Sequence, residues 1–149
     1  MEDTDFEPRV LAFCCHYCAY AAADLAGTMR IQYPPNVRII RTPCTGRLET
    51  EYFMKAFESG ADGVLVAGCL EGGCHFMDGN RYAKGRVEYI RDMLEEIGLE
   101  KDRLRMVNVS ASMARPLADV ITDMVAAIGR LGPNPANRNG KPCELETTL

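Results

Sequence analysis

Residues 62–68 of the chain read DGVLVAG, and from Gly63 to Gly68 there is no polar position at which one face of a strand could meet water. A strand wetted on one side alternates polar and apolar residues. A short run without alternation is buried on both faces, as in a parallel sheet. Parallel neighbours need crossovers long enough to hold a helix, and those crossovers are right-handed. This segment therefore points to a parallel sheet, and strands alternating with helices along the rest of the chain imply helices on both of its faces.

The rest of the chain supplies matching units. RVLAF (9–13) reads as a first strand, and the alanine-rich AYAAADLAGTM (19–29) as a helix pressed close to its neighbours. VRIIR (37–41) is a second strand after the turn signal Pro34-Pro35-Asn36. ETEYFMKAFESG (49–60) places Tyr52, Phe53, Ala56 and Phe57 on one helical face, with Gly60 as its C-terminal cap. A long helix is predicted over 81–97, with Val87, Ile90, Leu94 and Ile97 at helical spacing and Gly98 closing it. LRMVNV (104–109) is a fourth strand. A last helix over 112–131 carries Leu117, Val120, Ile121, Met124, Val125, Ile128 and Leu131, with Pro116 in its first turn. The expected architecture is a three-layer sandwich around a mostly parallel sheet of four or five strands, flavodoxin- or Rossmann-like. Residues 1–131 form the single predicted domain. The Pro/Asn/Gly-rich stretch 132–149 reads as an arm without a core of its own.

With 149 residues, 47% of them apolar, the chain can bury a substantial core. Its net charge of −4 offers no footprint for nucleic acid or an anionic membrane. No apolar stretch approaches the ~18 residues of a membrane span. The opening MEDTDFEP is acidic where a signal peptide is basic and then apolar, so a cytoplasmic location is expected.

Seven cysteines in such a chain need an account, because the count is odd and reducing compartments disfavour disulfides. Cys14, Cys15 and Cys18 follow the first strand, Cys44 the second, and Cys69 and Cys74 the third. Between Cys18 and Cys44 lie 25 residues, and between Cys44 and Cys69 lie 24, one strand-plus-helix unit each time. The carboxyl ends of parallel strands share one edge, where open α/β sheets carry their functional crevice. A sulfur-lined pocket is therefore predicted there.

Three chemistries suit it. A thioredoxin-like dithiol needs only Cys15 and Cys18, and leaves Cys44, Cys69 and Cys74 unexplained. A zinc ion would take four ligands, with His16 and His75 as further candidates. An iron–sulfur cluster needs about four thiolates, and Gly46, Gly68, Gly72 and Gly73 would let backbone N–H groups approach its sulfurs. Spacing alone favours iron–sulfur over zinc. Cys14 should point opposite to Cys15 and serve as a core thiol, and Cys143 reads as incidental. His16 and His75 read as hydrogen-bonding loop residues, and Glu71 and Asp78 as solvated carboxylates. No GxGxxG or P-loop occurs.

Cys15-His16-Tyr17-Cys18 followed by AYAAADLAG, then RTPCTGR, then DGVLVAGCLEGGCHFMDGN, resembles the delta subunit of methyl-viologen-reducing (F420-non-reducing) hydrogenase over residues 9 to 131. That resemblance implies a [2Fe–2S] cluster and a small electron carrier that is not catalytic alone. It implies a hetero-oligomeric complex in which a hydrogenase or a formate dehydrogenase is linked to heterodisulfide reductase, whose flavin subunit bifurcates electrons. The family pattern falls on Cys15, Cys18, Cys44, Cys69 and Cys74, five thiols for a cluster that needs four. Cys15, Cys44, Cys69 and Cys74 are the expected metal ligands, with Cys15 preferred to Cys18 because it lies nearer the strand end. The loop here is CLEGGC, where many relatives carry proline and aspartate; the cysteine spacing is kept.

Overall fold

The computed structural model describes residues 6–70 and 79–135. Strand β1 (Val10–Cys15) leads through helix α1 (Ala19–Thr28) to β2 (Val37–Thr42). Helix α2 (Thr50–Glu58) follows, then β3 (Gly63–Gly68), α3 (Gly79–Glu96), β4 (Leu104–Asn108) and α4 (Ala114–Leu131). The four strands form one all-parallel sheet in the order β2-β1-β3-β4. The α/β reading is borne out, and among the described residues the sheet has four strands.

Alternation along the central strands sorts the core into two halves. Leu11, Phe13, Val64, Val66 and Leu104 pack under α2 and α3 against Phe53, Phe57, Val87, Ile90 and Leu94. Phe13 meets Phe53 edge to face at 6.1 Å. Val10, Ala12, Cys14, Leu65 and Ala67 face the other way, against Ala19 and Ala22 of α1 and Leu117, Ile121, Met124 and Ile128 of α4. The alanines of α1 let α4 lie close, and Ala26, Ala114, Ala118 and Ile31 form a small cluster between the two helices. The result is a three-layer sandwich.

Two details depart from the sequence reading. β1 runs two residues further than 9–13 implies and includes Cys14 and Cys15. Ile97 lies beyond the end of α3 and is 61% exposed, because Gly98 at φ 92° turns the chain before that side chain can reach the core.

The amino edge of the sheet is closed by a polar knot. Arg103 is fully buried and donates to the carbonyls of Asp62, Gly132 and Pro133, and to the Glu100 carboxylate at 2.6 Å. The Asp62 carboxylate accepts the backbone N–H groups of Arg9 and Asn134, both at 2.9 Å. The buried Asn134 amide donates to the carbonyls of Phe57 and Ala61. Packing thus continues past Leu131 to Asn134. No helix among the described residues is long and apolar enough to cross a membrane.

Candidate functional site

β1 and β3 are neighbours at the centre of the sheet, yet the chain leaves them in opposite directions. After β1 it crosses by α1 to β2 on one side; after β3 it crosses by α3 to β4 on the other. This is the topological switch point, where the crossovers part and leave a crevice beyond the carboxyl ends of the strands. Cys15 is the last residue of β1, and Cys69 is the first residue after β3.

Their sulfurs lie 3.5 Å apart, and both residues are buried. A disulfide would need about 2.05 Å, so the two sulfurs are not bonded to each other. Two thiolates on one tetrahedral metal at about 2.3 Å each are roughly 3.7 Å apart. The pair therefore fits two positions on a shared metal. Cys14 points to the opposite face and packs in the core under α1 and α4, as alternation requires. Burial pushes its thiol up to about 12. Burial also pushes the Cys15 thiol up to about 11, with Cys69 adding to the effect and the backbone N–H groups of Tyr17 and Cys18 pulling the other way. A dithiol oxidoreductase needs a lowered thiol beside its partner. Here the raised thiol of Cys15 faces Cys69 rather than Cys18.

Cys44 is brought to the same edge by a loop that folds back over the sheet. Beyond β2 the chain makes a 3₁₀ turn at Thr45–Arg47, with the Cys44 sulfur accepting the Gly46 N–H at 3.4 Å. Two glycines allow this path. A Cβ on Gly68 would come within 3.1 Å of the Thr45 hydroxyl, and one on Gly46 within 2.8 Å of the Gly79 Cα at the start of α3. Arg86 of α3 pins the turn by donating to the carbonyls of Gly46 and Leu48. Cys18, half-buried, stands at the N-cap position of α1. The exposed rings of His16 and Tyr17 pack edge to face at 4.9 Å, and with Arg41 and Pro43 they line an open hollow of about 310 Å³.

The Cys69 backbone is held by two side chains that composition and spacing did not single out. Asn108 donates to its carbonyl at 2.6 Å, and the buried Asn80 does so at 3.0 Å while also reaching the Leu70 carbonyl. Their only sequence signal is an amide at the end of a strand and one at the start of a helix.

The structure thus joins Cys15 to Cys69, and sets Cys18 and Cys44 on adjoining loops of the same edge. Among the described residues no three His, Cys, Asp or Glu side chains lie close enough together to hold a metal ion. Cys74, Glu71, Gly72, Gly73, His75 and Asp78 lie outside the described residues, as does Cys143.

Fold and edge together define a parallel α/β domain with paired thiols at its switch point. Residues 10–132 match the family model described as methyl-viologen-reducing hydrogenase, delta subunit, and the chain belongs to that family. It is 42% identical over 129 residues to the iron-sulfur D subunit of an F420-non-reducing hydrogenase from Archaeoglobus profundus, covering 87% of this chain and 94% of that one. The iron-sulfur D subunit of the vhu F420-non-reducing hydrogenase from Methanocaldococcus jannaschii is 44% identical over 129 residues, 87% of this chain and 96% of its own. A third relative is much longer. The A subunit of the ferredoxin:CoB-CoM heterodisulfide reductase of Methanosarcina mazei is 44% identical over 126 residues, 85% of this chain but only 16% of that protein.

Proposed function

We propose that this chain is the [2Fe–2S] electron-transfer subunit of a cytoplasmic complex. In this reading it passes electrons between a hydrogenase or formate dehydrogenase and the flavin-containing subunit of heterodisulfide reductase, where they are bifurcated. The observation that carries the reading is the Cys15–Cys69 sulfur pair, 3.5 Å apart at the switch point. Cys15, Cys44, Cys69 and Cys74 would hold the cluster, with Cys18 as the one alternative thiol. Once bound, the cluster supplies a site that takes up and gives back one electron.

The chain's own residues do the rest. Backbone N–H groups from Tyr17, Cys18 and Gly46 act on the sulfurs of Cys15 and Cys44 and stabilise negative charge there. Asn80 and Asn108 fix the Cys69 backbone, so its sulfur keeps its place as charge comes and goes. The site stands at the rim of the sheet, within short reach of a docked protein.

The names of the relatives support the partners. A like sequence occurs as a separate iron-sulfur protein of hydrogenases and as a stretch of a heterodisulfide reductase polypeptide. Fusion holds two centres at high effective concentration; a separate protein reaches the same end through an interface. In this reading the cluster domain of residues 1–131 extends through the packed Gly132, Pro133 and Asn134, and the remainder of the 132–149 stretch is an arm that docks on a neighbour.

Anaerobic purification tests the proposal. The protein should be coloured, bleach reversibly with dithionite, and bring down the flavin-containing reductase polypeptide from an extract. A colourless, zinc-loaded protein, or a thiol–disulfide exchange activity lost with Cys18→Ser, would replace this reading with one of its rivals.

A further inference from the structure

Thr42 ends β2 in register with Cys15, so the two side chains leave neighbouring strands on the same face, about 4.8 Å apart by strand spacing. Ile40, two residues earlier, identifies that face by packing with Phe13 against the core under α2 and α3. The Thr42 backbone is engaged there, its carbonyl accepting the His16 N–H at 2.8 Å. The hydroxyl is not. Thr42 is 8% exposed, and its Oγ1 is buried with no hydrogen-bond partner among the described residues. Buried hydroxyls are rarely left unpaired, and one that is marks a place where something else completes the bond. Phe13, Ile40, Arg41, Pro43, Leu48 and Tyr52 line a cavity of about 200 Å³ beside it.

We propose that the Thr42 hydroxyl is a donor held for the Cys15 sulfur, and that it sets the reduction potential of the centre. This rests on the iron–sulfur assignment above. With Cys15 as a thiol, the Thr42 hydroxyl makes no bond to its sulfur, and a neutral thiol is too weak an acceptor to draw it in. A metal-bound thiolate is charged, and an O–H turned toward it makes a charge-assisted bond. Reduction adds further negative charge, so the bond strengthens in the reduced state and raises the potential. Thr42 acts through Cys15 and is a positioning residue rather than a ligand.

The test uses the full chain, purified anaerobically as wild type, Thr42→Val, Thr42→Ala and Thr42→Ser, with iron and sulfide content and a potentiometric titration followed by electron paramagnetic resonance. The Val and Ala variants should keep their iron and sulfide but titrate at lower potential. At the wild-type midpoint their reduced-to-oxidised ratio should fall roughly tenfold, 59 mV for one electron. Thr42→Ser keeps the hydroxyl and should titrate with wild type. The Ala variant serves if Thr42→Val does not fold. A Val or Ala variant that titrates with wild type, or a Ser variant that shifts as far as they do, would overturn the role of Thr42 alone. A wild-type protein without iron and sulfide would overturn the cluster assignment, and this inference with it.

Discussion

Asn108, the last residue of β4, donates its side-chain N–H to the Cys69 carbonyl at 2.6 Å, tying the edge strand to the site across the end of β3. Asn108→Asp keeps the shape and loses the donor, placing a carboxylate against a carbonyl oxygen. The variant should lose about 1–3 kcal/mol of stability, the usual cost of an unmet, partly buried polar contact. It should also release iron faster under a chelator. Urea denaturation and the rate of chelation check the two effects; wild-type values in both would show that the contact is incidental.

At the opposite edge, Arg103 holds Asp62, Glu100 and the backbone of Gly132 and Pro133 together from a fully buried position. Arg103→Ala leaves these carbonyls without their donor and should cost on the order of 3 kcal/mol or more. Urea midpoints at pH 7 measure this, and an Ala variant within 1 kcal/mol (about the value of one hydrogen bond) would contradict the knot's importance.

The pH dependence of that knot follows from Glu100. Its hydrogen bond to Arg103 holds the carboxyl below its ordinary range. A lowered folded-state value means that the stabilisation is present above the unfolded glutamate value, about 4.3, and is lost as the pH falls through the folded one. Glu100→Gln should therefore be less stable than wild type at pH 7, with the gap closing in acid. A gap that stays constant from about pH 7 to about pH 3 would rule this out.

Gly46 and Gly85 make a matched pair of glycine tests. A methyl at Gly46 would press on the backbone of Gly79, whereas nothing lies within 4 Å of the same position at Gly85, inside α3. Gly46→Ala should displace the Cys44 turn and lower cluster content. Gly85→Ala should raise stability by about 0.5–1 kcal/mol and leave the content unchanged. Equal iron content in the two variants would remove the argument for a tightly fitted turn.

Much of the fold was legible because its signals are local. Unbroken apolar runs mark the two central strands β1 and β3, and stripes such as Leu117, Ile121, Met124 and Ile128 mark the buried helix faces. What was missed depends on distant neighbours. A charged residue reads as surface, and only the Glu100 carboxylate together with the carbonyls of Asp62, Gly132 and Pro133 makes burial of Arg103 tolerable. Cys14 reads as a core thiol and is one, but RVLAF stops the strand at residue 13 although the backbones of Cys14 and Cys15 continue β1. The 24-to-25-residue spacing of the cysteines brought the sulfurs to one edge, but it could not say that Cys15 would face Cys69. That follows from strand order, which sets β3 beside β1 at the switch point.

The central claim is that Cys15 and Cys69 share a metal of an iron–sulfur cluster, and iron and acid-labile sulfide counts on cysteine variants test it most directly. Anaerobically purified wild type and Cys14→Ser should each carry about two iron and two sulfide per chain, as a [2Fe–2S] centre requires. Cys15→Ser and Cys69→Ser should lose most of both. Full iron and sulfide in Cys69→Ser, or their loss in Cys14→Ser alone, would contradict the account.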